Sequence, residues 1–167
     1  MGLLGARTWG YGETRLFPVH VLDGCLSVGY GGFMKTSAPV PADVFHVVRT
    51  EYAAGRQTVE LDGETVYSAE SAASVDTGLP LYLFAVNFGG EAKYPMPARV
   101  RRLRIWQQPA EGGAYALVRD LQPVRTDGDV PAFYDAVSKT CLFGSRPFAD
   151  VGPVTGPFAR GALLLVR

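Results

Sequence analysis

Hydrophobic and polar residues alternate in short runs along most of this chain, a pattern typical of β-strands with one buried face. The clearest example covers residues 44–67. One extended segment runs over residues 45–52, and a second begins at residue 57 after an Ala-Ala-Gly break. The Asp62-Gly63 pair favours the positive φ angles of a two-residue hairpin turn. Residues 44–67 therefore predict a three-stranded antiparallel meander, with Val59 opposite Val66.

Most of the remaining chain repeats this pattern of short strands separated by turns. Asp23-Gly24 predicts another hairpin, and Pro18, which has no N–H group, predicts an edge position or a bulge. Residues 81–88 are apolar on both faces, as in a central strand, and residues 98–107 alternate strictly. About a dozen short strands without an amphipathic helix predict an all-β fold, a two-sheet antiparallel β-sandwich or a barrel.

We make separate structural predictions for two segments in the C-terminal part of the chain. The chain beyond Pro123 is expected to be loop-like through residues 133–135, with a short strand at 140–143. Residues 1–161 are expected to form the sandwich, and the apolar tail 162–167 is either an extra strand that covers a sheet edge or a linker stub. An uncovered edge would also favour self-association.

Composition narrows the functional classes. With 167 residues the chain is long enough for one domain, and its 16 basic and 16 acidic residues cancel. No overall field therefore draws the chain to nucleic acid or to acidic membranes, and we expect it to bind no nucleic acid. No run of about 18 apolar residues predicts membrane insertion, and residues 1–10 lack the apolar core of a secretory signal.

Several stretches together resemble the laminin-G-like modules of the concanavalin A-like lectin/glucanase superfamily, in their divergent bacterial and phage form. The matching stretches are LLGAR (3–7), FHVVRTEYAAGRQTVELDG (45–63), LPLYLFAVNFGG (79–90), ARVRRLRIWQ (98–107) and ALVRDLQPVRTDGDVPAFYDAVSKTCLFG (116–144). The resemblance implies a concanavalin A-like jelly roll. It also implies an extracellular or cell-surface location. The usual strands before the LLGAR-like segment are not in this sequence.

The resemblance implies a non-catalytic binding module for a glycan or a surface protein, within a larger surface or tail protein. A structural or assembly module without a small ligand is the alternative. The best glycan-binding candidates are Arg102, Arg104 and Trp106, which alternate onto one face. Aromatic rings stack on sugars, and guanidinium groups donate forked hydrogen bonds that suit acidic sugars. Trp106 equally fits a packed position in the core.

Asp127 and Asp129 flank Gly128 and are the best local candidates for a calcium site, which some laminin-G-like modules have at the sandwich rim. Calcium needs six to eight oxygen ligands, so other loops would have to contribute. Aspartates beside glycine are also common turn formers. Calcium is therefore the cofactor left open, and otherwise no cofactor is expected.

Glu60, Asp62 and Glu64 have the ExDxE spacing that retaining glucanases of this superfamily use. Catalysis requires the carboxylates on one face of a continuous strand. The hairpin chemistry of Asp62-Gly63 places Glu64 on the returning strand instead, so a glycoside hydrolase is the distant alternative. We expect no enzyme activity.

Cysteines and histidines give no catalytic or metal-binding motif. Cys25 and Cys141 lie far apart in apolar surroundings and are expected to be buried free thiols, with a disulfide as the alternative. His46 alternates with valines and is expected to be a packed, hydrogen-bonded strand residue. His20 has no acid or nucleophile nearby in sequence.

Overall fold

The computed structural model describes residues 2–7, 15–30, 34–53, 55–70, 78–108, 113–126, 130–144 and 164–166. Within these ranges the protein is all-β and contains no helix. The described residues therefore include no helical segment that could span a membrane. The strands, numbered in chain order, are β1 Gly2–Arg7, β2 Arg15–Leu22, β3 Cys25–Tyr30, β4 Met34–Pro39, β5 Val44–His46, β6 Val48–Ala53, β7 Arg56–Leu61, β8 Glu64–Glu70, β9 Tyr82–Leu83, β10 Val86–Phe88, β11 Glu91–Lys93, β12 Ala98–Val100, β13 Leu103–Gln107, β14 Ala116–Arg125, β15 Pro131–Asp135, β16 Thr140–Leu142 and β17 Leu164–Val166.

The chain divides into two compact units. The first comprises Met1–Arg99 with Leu165–Arg167, and the second comprises Val100–Leu164. The described strands form four sheets, whose pairings are mainly antiparallel. The predicted all-β antiparallel class is confirmed, and the sheets are compatible with a β-sandwich.

The largest sheet of the first unit has the order β11-β10-β1-β2-β3-β4, and β9 also pairs with β1. Asp23 and Gly24 form the predicted hairpin turn between β2 and β3, with φ angles of 50° and 73°. The register of these strands shifts between Phe17 and His20. Pro18 therefore lies at the predicted bulge, where its missing N–H group costs no ladder hydrogen bond.

The predicted meander is present as the sheet β6-β7-β8. Its second turn is Asp62-Gly63, with φ angles of 53° and 89°. The predicted partner of Val59 is wrong, because a bulge between Val59 and Glu60 pairs Val59 with Tyr67 instead of Val66. Val59 is nevertheless fully buried and belongs to the core.

The first extended segment of the meander is two strands instead of one. β5 ends at His46 and β6 begins at Val48, so Val47 lies outside both. β5 belongs to the sheet β12-β17-β5, whereas β6 belongs to the meander. The chain thus changes sheets at Val47.

The C-terminal strand β17 belongs to the sheet β12-β17-β5. It lies between β12 and β5, so residues 164–166 pair with a strand on each side.

Two other predicted strands are also divided. Residues 81–88 contain β9 and β10, separated at Phe84, whose φ of 63° interrupts the extended backbone. Residues 98–107 contain β12 and β13, separated at residues 101–102. Both segments therefore had the right strand type, but each is interrupted within the predicted range.

The second unit contains the antiparallel sheet β13-β14-β15-β16. The expectation of a loop after Pro123 is wrong, because β14 continues to Arg125 and β15 covers residues 131–135. The pairing of β13 with β14 ends at Leu121, whereas β15 pairs with β14 as far as Arg125. Among the described strands Pro123 therefore has a neighbour on one side, and a proline is tolerated at such an edge position. Buried apolar residues of this sheet are Leu121, Ala132 and Phe133.

Candidate functional site

Asp62 connects the tip of the β7–β8 hairpin to the point where the chain changes sheets. The main-chain N–H of Val47 donates to Asp62 Oδ1 at 2.7 Å. The N–H of Asp62 donates in return to the carbonyl oxygen of Val47 at 2.8 Å. Side chain and backbone of one turn residue therefore bond to both main-chain groups of Val47, which lies between β5 and β6.

His46 holds the other oxygen of the same carboxylate. His46 Nδ1 lies 2.7 Å from Asp62 Oδ2, and Nε2 lies 3.4 Å from the carbonyl oxygen of Pro41. His46 is 6% exposed, so the ring is fixed between two acceptors inside the first unit. The expectation of a packed, hydrogen-bonded strand histidine is confirmed.

The environment of Asp62 keeps its carboxylate ionised. Partial desolvation raises its pKa, but hydrogen bonds from His46 and Val47, together with the charge of His46, lower the pKa below its ordinary value overall. The side chain is still 51% exposed. A fixed anionic group therefore faces solvent at the hairpin tip.

A groove of about 510 Å³ opens beside this carboxylate, between β4 and the β7–β8 hairpin. Its lining residues are Ser37, Ala38, Pro39, Leu61, Asp62, Glu64, Thr65 and Val66. Two carboxylates and two hydroxyl groups supply hydrogen-bonding capacity, and the remaining side chains supply apolar contact. No lysine or arginine is among these lining residues.

Glu60, Asp62 and Glu64, the residues of the ExDxE pattern, lie on three different parts of the β7–β8 hairpin. Glu60 is on β7 opposite Thr65, and its carboxylate lies 3.6 Å from an Arg49 nitrogen. Asp62 is in the turn, and Glu64 begins β8 opposite Leu61. The predicted transfer of Glu64 to the returning strand is confirmed. Asp62 and Glu64 line the groove, whereas Glu60 does not.

Arg102 and Arg104, the predicted guanidinium ligands, are both directed at Asp120. Arg102 makes a two-pronged pair with this carboxylate through Nε and Nη2. Arg104 Nε lies 3.7 Å from Asp120 Oδ1, and Arg104 is opposite Asp120 across β13 and β14. The Arg102 and Asp120 side chains are only 12% and 7% exposed. These charges mainly neutralise each other inside the second unit.

Asp120 belongs to a network that continues to Asp135. The Arg102 hydrogen bond lowers the pKa of Asp120, against an opposing effect of desolvation, and the charges of Arg102 and Arg104 lower it further. The N–H of Asp120 donates to Asp135 Oδ1 at 3.0 Å. This network fixes β14 against the turn after β15.

Trp106, the third predicted glycan-binding residue, presents a large exposed surface. It is 49% exposed, and Leu117, its partner across the sheet, is 38% exposed. A bulge on β14 after the Ile105–Arg119 pair brings Leu117 opposite Trp106. The structure thus separates the predicted set into two internally paired arginines and an exposed indole.

Asp127 and Asp129, the predicted calcium ligands, lie outside the described residues. In the part of the chain that the structure describes, no three His, Cys, Asp or Glu side chains come together as a metal site. Cys25 and Cys141 are free thiols, as expected. The expectation that both are buried is wrong, because Cys25 is half-buried and Cys141 is exposed.

Ser37 and Thr65 are groove residues for which the sequence contains no distinguishing signal. They lie 28 positions apart, on β4 and β8, and meet only through tertiary packing. The Asp62-Gly63 turn was recognisable, but its bond to His46 depends on the change of sheets at Val47. No family model, curated protein or solved structure matches the chain.

Proposed function

We propose that this protein is a non-catalytic binding module that recognises a glycan in the groove between β4 and the β7–β8 hairpin. The observation that carries the proposal is the Asp62 carboxylate, which His46 and Val47 hold in place while half of it faces solvent. A binding group whose orientation is fixed before the ligand arrives loses little conformational entropy on binding.

The groove chemistry favours a neutral or amino sugar. Carboxylates of Asp62 and Glu64 accept hydrogen bonds from sugar hydroxyls, and the hydroxyls of Ser37 and Thr65 both donate and accept. Pro39 and the other apolar lining residues suit the C–H faces of a sugar ring. The volume of about 510 Å³ falls in the range of about 300–1,000 Å³ for small-molecule sites. Acidic sugars are disfavoured, since two carboxylates would repel them.

A glycan array with the purified protein, followed by calorimetric titration of the best sugar, tests this proposal. Glu64→Gln should weaken binding about tenfold, as expected for the loss of a charge-assisted hydrogen bond. Ser37→Tyr should abolish binding by filling the groove. Glu70→Gln is the matched control, because Glu70 is an exposed carboxylate on the same strand outside the groove. A blank array, or equal losses in Glu64→Gln and Glu70→Gln, would refute the groove as a glycan site.

The exposed Trp106 offers a second surface for the same ligand class, since an indole face stacks on sugar rings. Trp106→Ala separates the two surfaces. If this variant loses sugar binding while Ser37→Tyr retains it, the ligand binds on the second unit. Arg102 and Arg104 would then act mainly by fixing β13 through Asp120.

The fold family and the cellular location are part of the same proposal. The resemblance of the sequence motifs is the basis for proposing a concanavalin A-like jelly roll of the laminin-G-like kind, at an extracellular or cell-surface location, and the all-β antiparallel architecture is compatible with a β-sandwich. An experimental structure tests the fold, and sugar-competable binding to intact cells or particles tests the location. The alternative, an assembly module without a small ligand, predicts a blank array together with self-association.

A further inference from the structure

The two walls of the groove between β4 and the β7–β8 hairpin differ in charge. The hairpin wall contributes the carboxylates of Asp62 and Glu64. The wall formed by β4 contributes Ser37, Ala38 and Pro39, none of which is charged. A ligand in the groove therefore meets negative charge on the hairpin side, and apolar surface with one hydroxyl group on the other side.

The Glu64 carboxylate is exposed, and within the ranges that the structure describes it has neither a hydrogen-bond partner nor an ion pair. The nearby arginine on β6 is engaged elsewhere, since Arg49 lies 2.7 Å from Glu51 and 3.6 Å from Glu60. Neither of these two glutamates lines the groove. Glu64 is therefore available to a positively charged group of a ligand.

Asp62 supplies a second anion, and its position is fixed. One of its oxygens accepts a hydrogen bond from His46 and the other from the N–H of Val47. A carboxylate has about four acceptor positions, so these two bonds leave capacity for a ligand. The side chain is 51% exposed, which keeps this capacity accessible from the solvent. Asp62 and Glu64 are separated only by Gly63, whose lack of a side chain leaves the space between them open.

We propose that the groove selects amino sugars whose amine is free and protonated, with the ammonium group bound by Asp62 and Glu64. This inference rests on the proposed glycan-binding function of the groove. An ammonium group donates three hydrogen bonds, and those to a carboxylate are charge-assisted on both sides. The C–H face of the sugar ring then packs towards Ala38 and Pro39. A glucose unit offers a neutral hydroxyl at the same position, and an N-acetylated unit offers a neutral amide.

An organic cation suits the groove better than a metal ion. Calcium requires six to eight oxygen ligands, of which several are usually carboxylates. In the described part of the chain, no three His, Cys, Asp or Glu side chains come together. Two carboxylates beside an apolar wall instead match a ligand that has both an ammonium group and C–H surface.

Calorimetric titration at pH 6 with two matched oligosaccharides tests this selectivity. A glucosamine oligomer and a glucose oligomer of equal length and linkage differ only in one substituent on each ring. The glucosamine oligomer should bind about tenfold more tightly, because its hydrogen bonds to the carboxylates are between two charged groups. The N-acetylated oligomer should bind no better than the glucose oligomer. Raising sodium chloride from about 0.05 M to about 0.5 M should reduce the preference, since salt screens exposed charges.

Glu64→Gln tests whether the preference arises in the groove. It should weaken binding of the glucosamine oligomer about tenfold and that of the glucose oligomer about twofold. Glu70→Gln, an exposed carboxylate on the same strand outside the groove, should change neither affinity. A preference that is unchanged in Glu64→Gln would overturn the inference.

The same titrations separate this inference from the proposed function. Equal affinities of the parent protein for both oligomers, both lost in Ser37→Tyr, would overturn the selectivity for an ammonium group and leave the groove as a glycan site. Failure of all three oligomers to bind, together with a blank glycan array, would refute the glycan-binding function and this inference with it.

Discussion

The carboxylate of Asp62 lies 2.7 Å from the ring nitrogen of His46, although the two residues are 16 positions apart. His46 is the last residue of β5, and Asp62 is the first turn residue after β7. The pair therefore joins two different sheets of the first unit at the place where the chain passes between them. Binding at the groove and folding of the hairpin are thus expected to depend on the same carboxylate.

Asp62→Ala should lower the free energy of unfolding by about 1–3 kcal/mol, since it leaves a buried His46 nitrogen and the Val47 N–H without their acceptor. Asp62→Asn is the informative comparison, because asparagine tolerates positive φ and keeps an acceptor oxygen for Val47. We expect Asp62→Asn to fall between the parent and Asp62→Ala in urea denaturation. Identical stabilities for all three proteins would mean that the bonds contribute nothing.

Gly63→Val should destabilise the protein by about 1 kcal/mol or more, because Gly63 has a φ of 89° that β-branched residues rarely adopt. A Cβ atom added here meets nothing within 4 Å, so the cost is conformational and not steric crowding. Gly63→Asn, which tolerates the left-handed region better, is the control. Thermal denaturation should rank the parent above Asn and Asn above Val, and the reverse order would contradict the turn geometry.

Local chemistry was enough to predict the meander, both hairpin turns and the Pro18 bulge. Each depends on residues within a few positions of one another, such as Asp62 with Gly63. The break at Val47 was missed because its cause, the bond to Asp62, comes from a distant segment. The strand at residues 131–135 is not predicted because a proline such as Pro123 usually ends a strand, whereas among the described strands β14 pairs only with β15 at that point.

The candidate site was predicted less well than the fold. The alternation that led to Arg102 and Arg104 contains no information about Asp120, which pairs with both arginines. The groove could not be found from the sequence, since Ser37 and Thr65 meet only by packing. Charge pairing across strands and grooves between sheets are both tertiary properties.

Arg102→Ala should destabilise the protein by about 3 kcal/mol, because it leaves the buried Asp120 carboxylate without its two-pronged partner. Arg99→Ala is the matched control, since Arg99 is exposed and three positions away. It should change the free energy of unfolding by less than about 0.5 kcal/mol. Guanidinium chloride denaturation measures the free energy of unfolding of both variants. Similar decreases in the two variants would mean that the Arg102–Asp120 pair contributes no more to stability than an exposed arginine.

The protein should become less stable as the pH falls from 7 to 4, because His20 is buried. This side chain is 8% exposed on β2, opposite Ser27, and burial lowers its pKa to about 4 from the ordinary value of 6.5. Between these two values the unfolded chain binds a proton that the folded protein does not, so acidification favours unfolding. Each pKa unit corresponds to about 1.4 kcal/mol, which gives a loss of about 3 kcal/mol by pH 4.

His20→Gln removes this titration and isolates it from those of other groups. Urea denaturation of parent and variant at pH 7, 6, 5 and 4 gives the difference in free energy of unfolding at each pH. The difference should move in favour of the variant by about 3 kcal/mol as the pH falls, with most of the change below pH 6.5. All other ionisable groups are the same in the two proteins and cancel in the comparison. A difference that stays constant from pH 7 to 4 would show that His20 has similar pKa values in the folded and unfolded states.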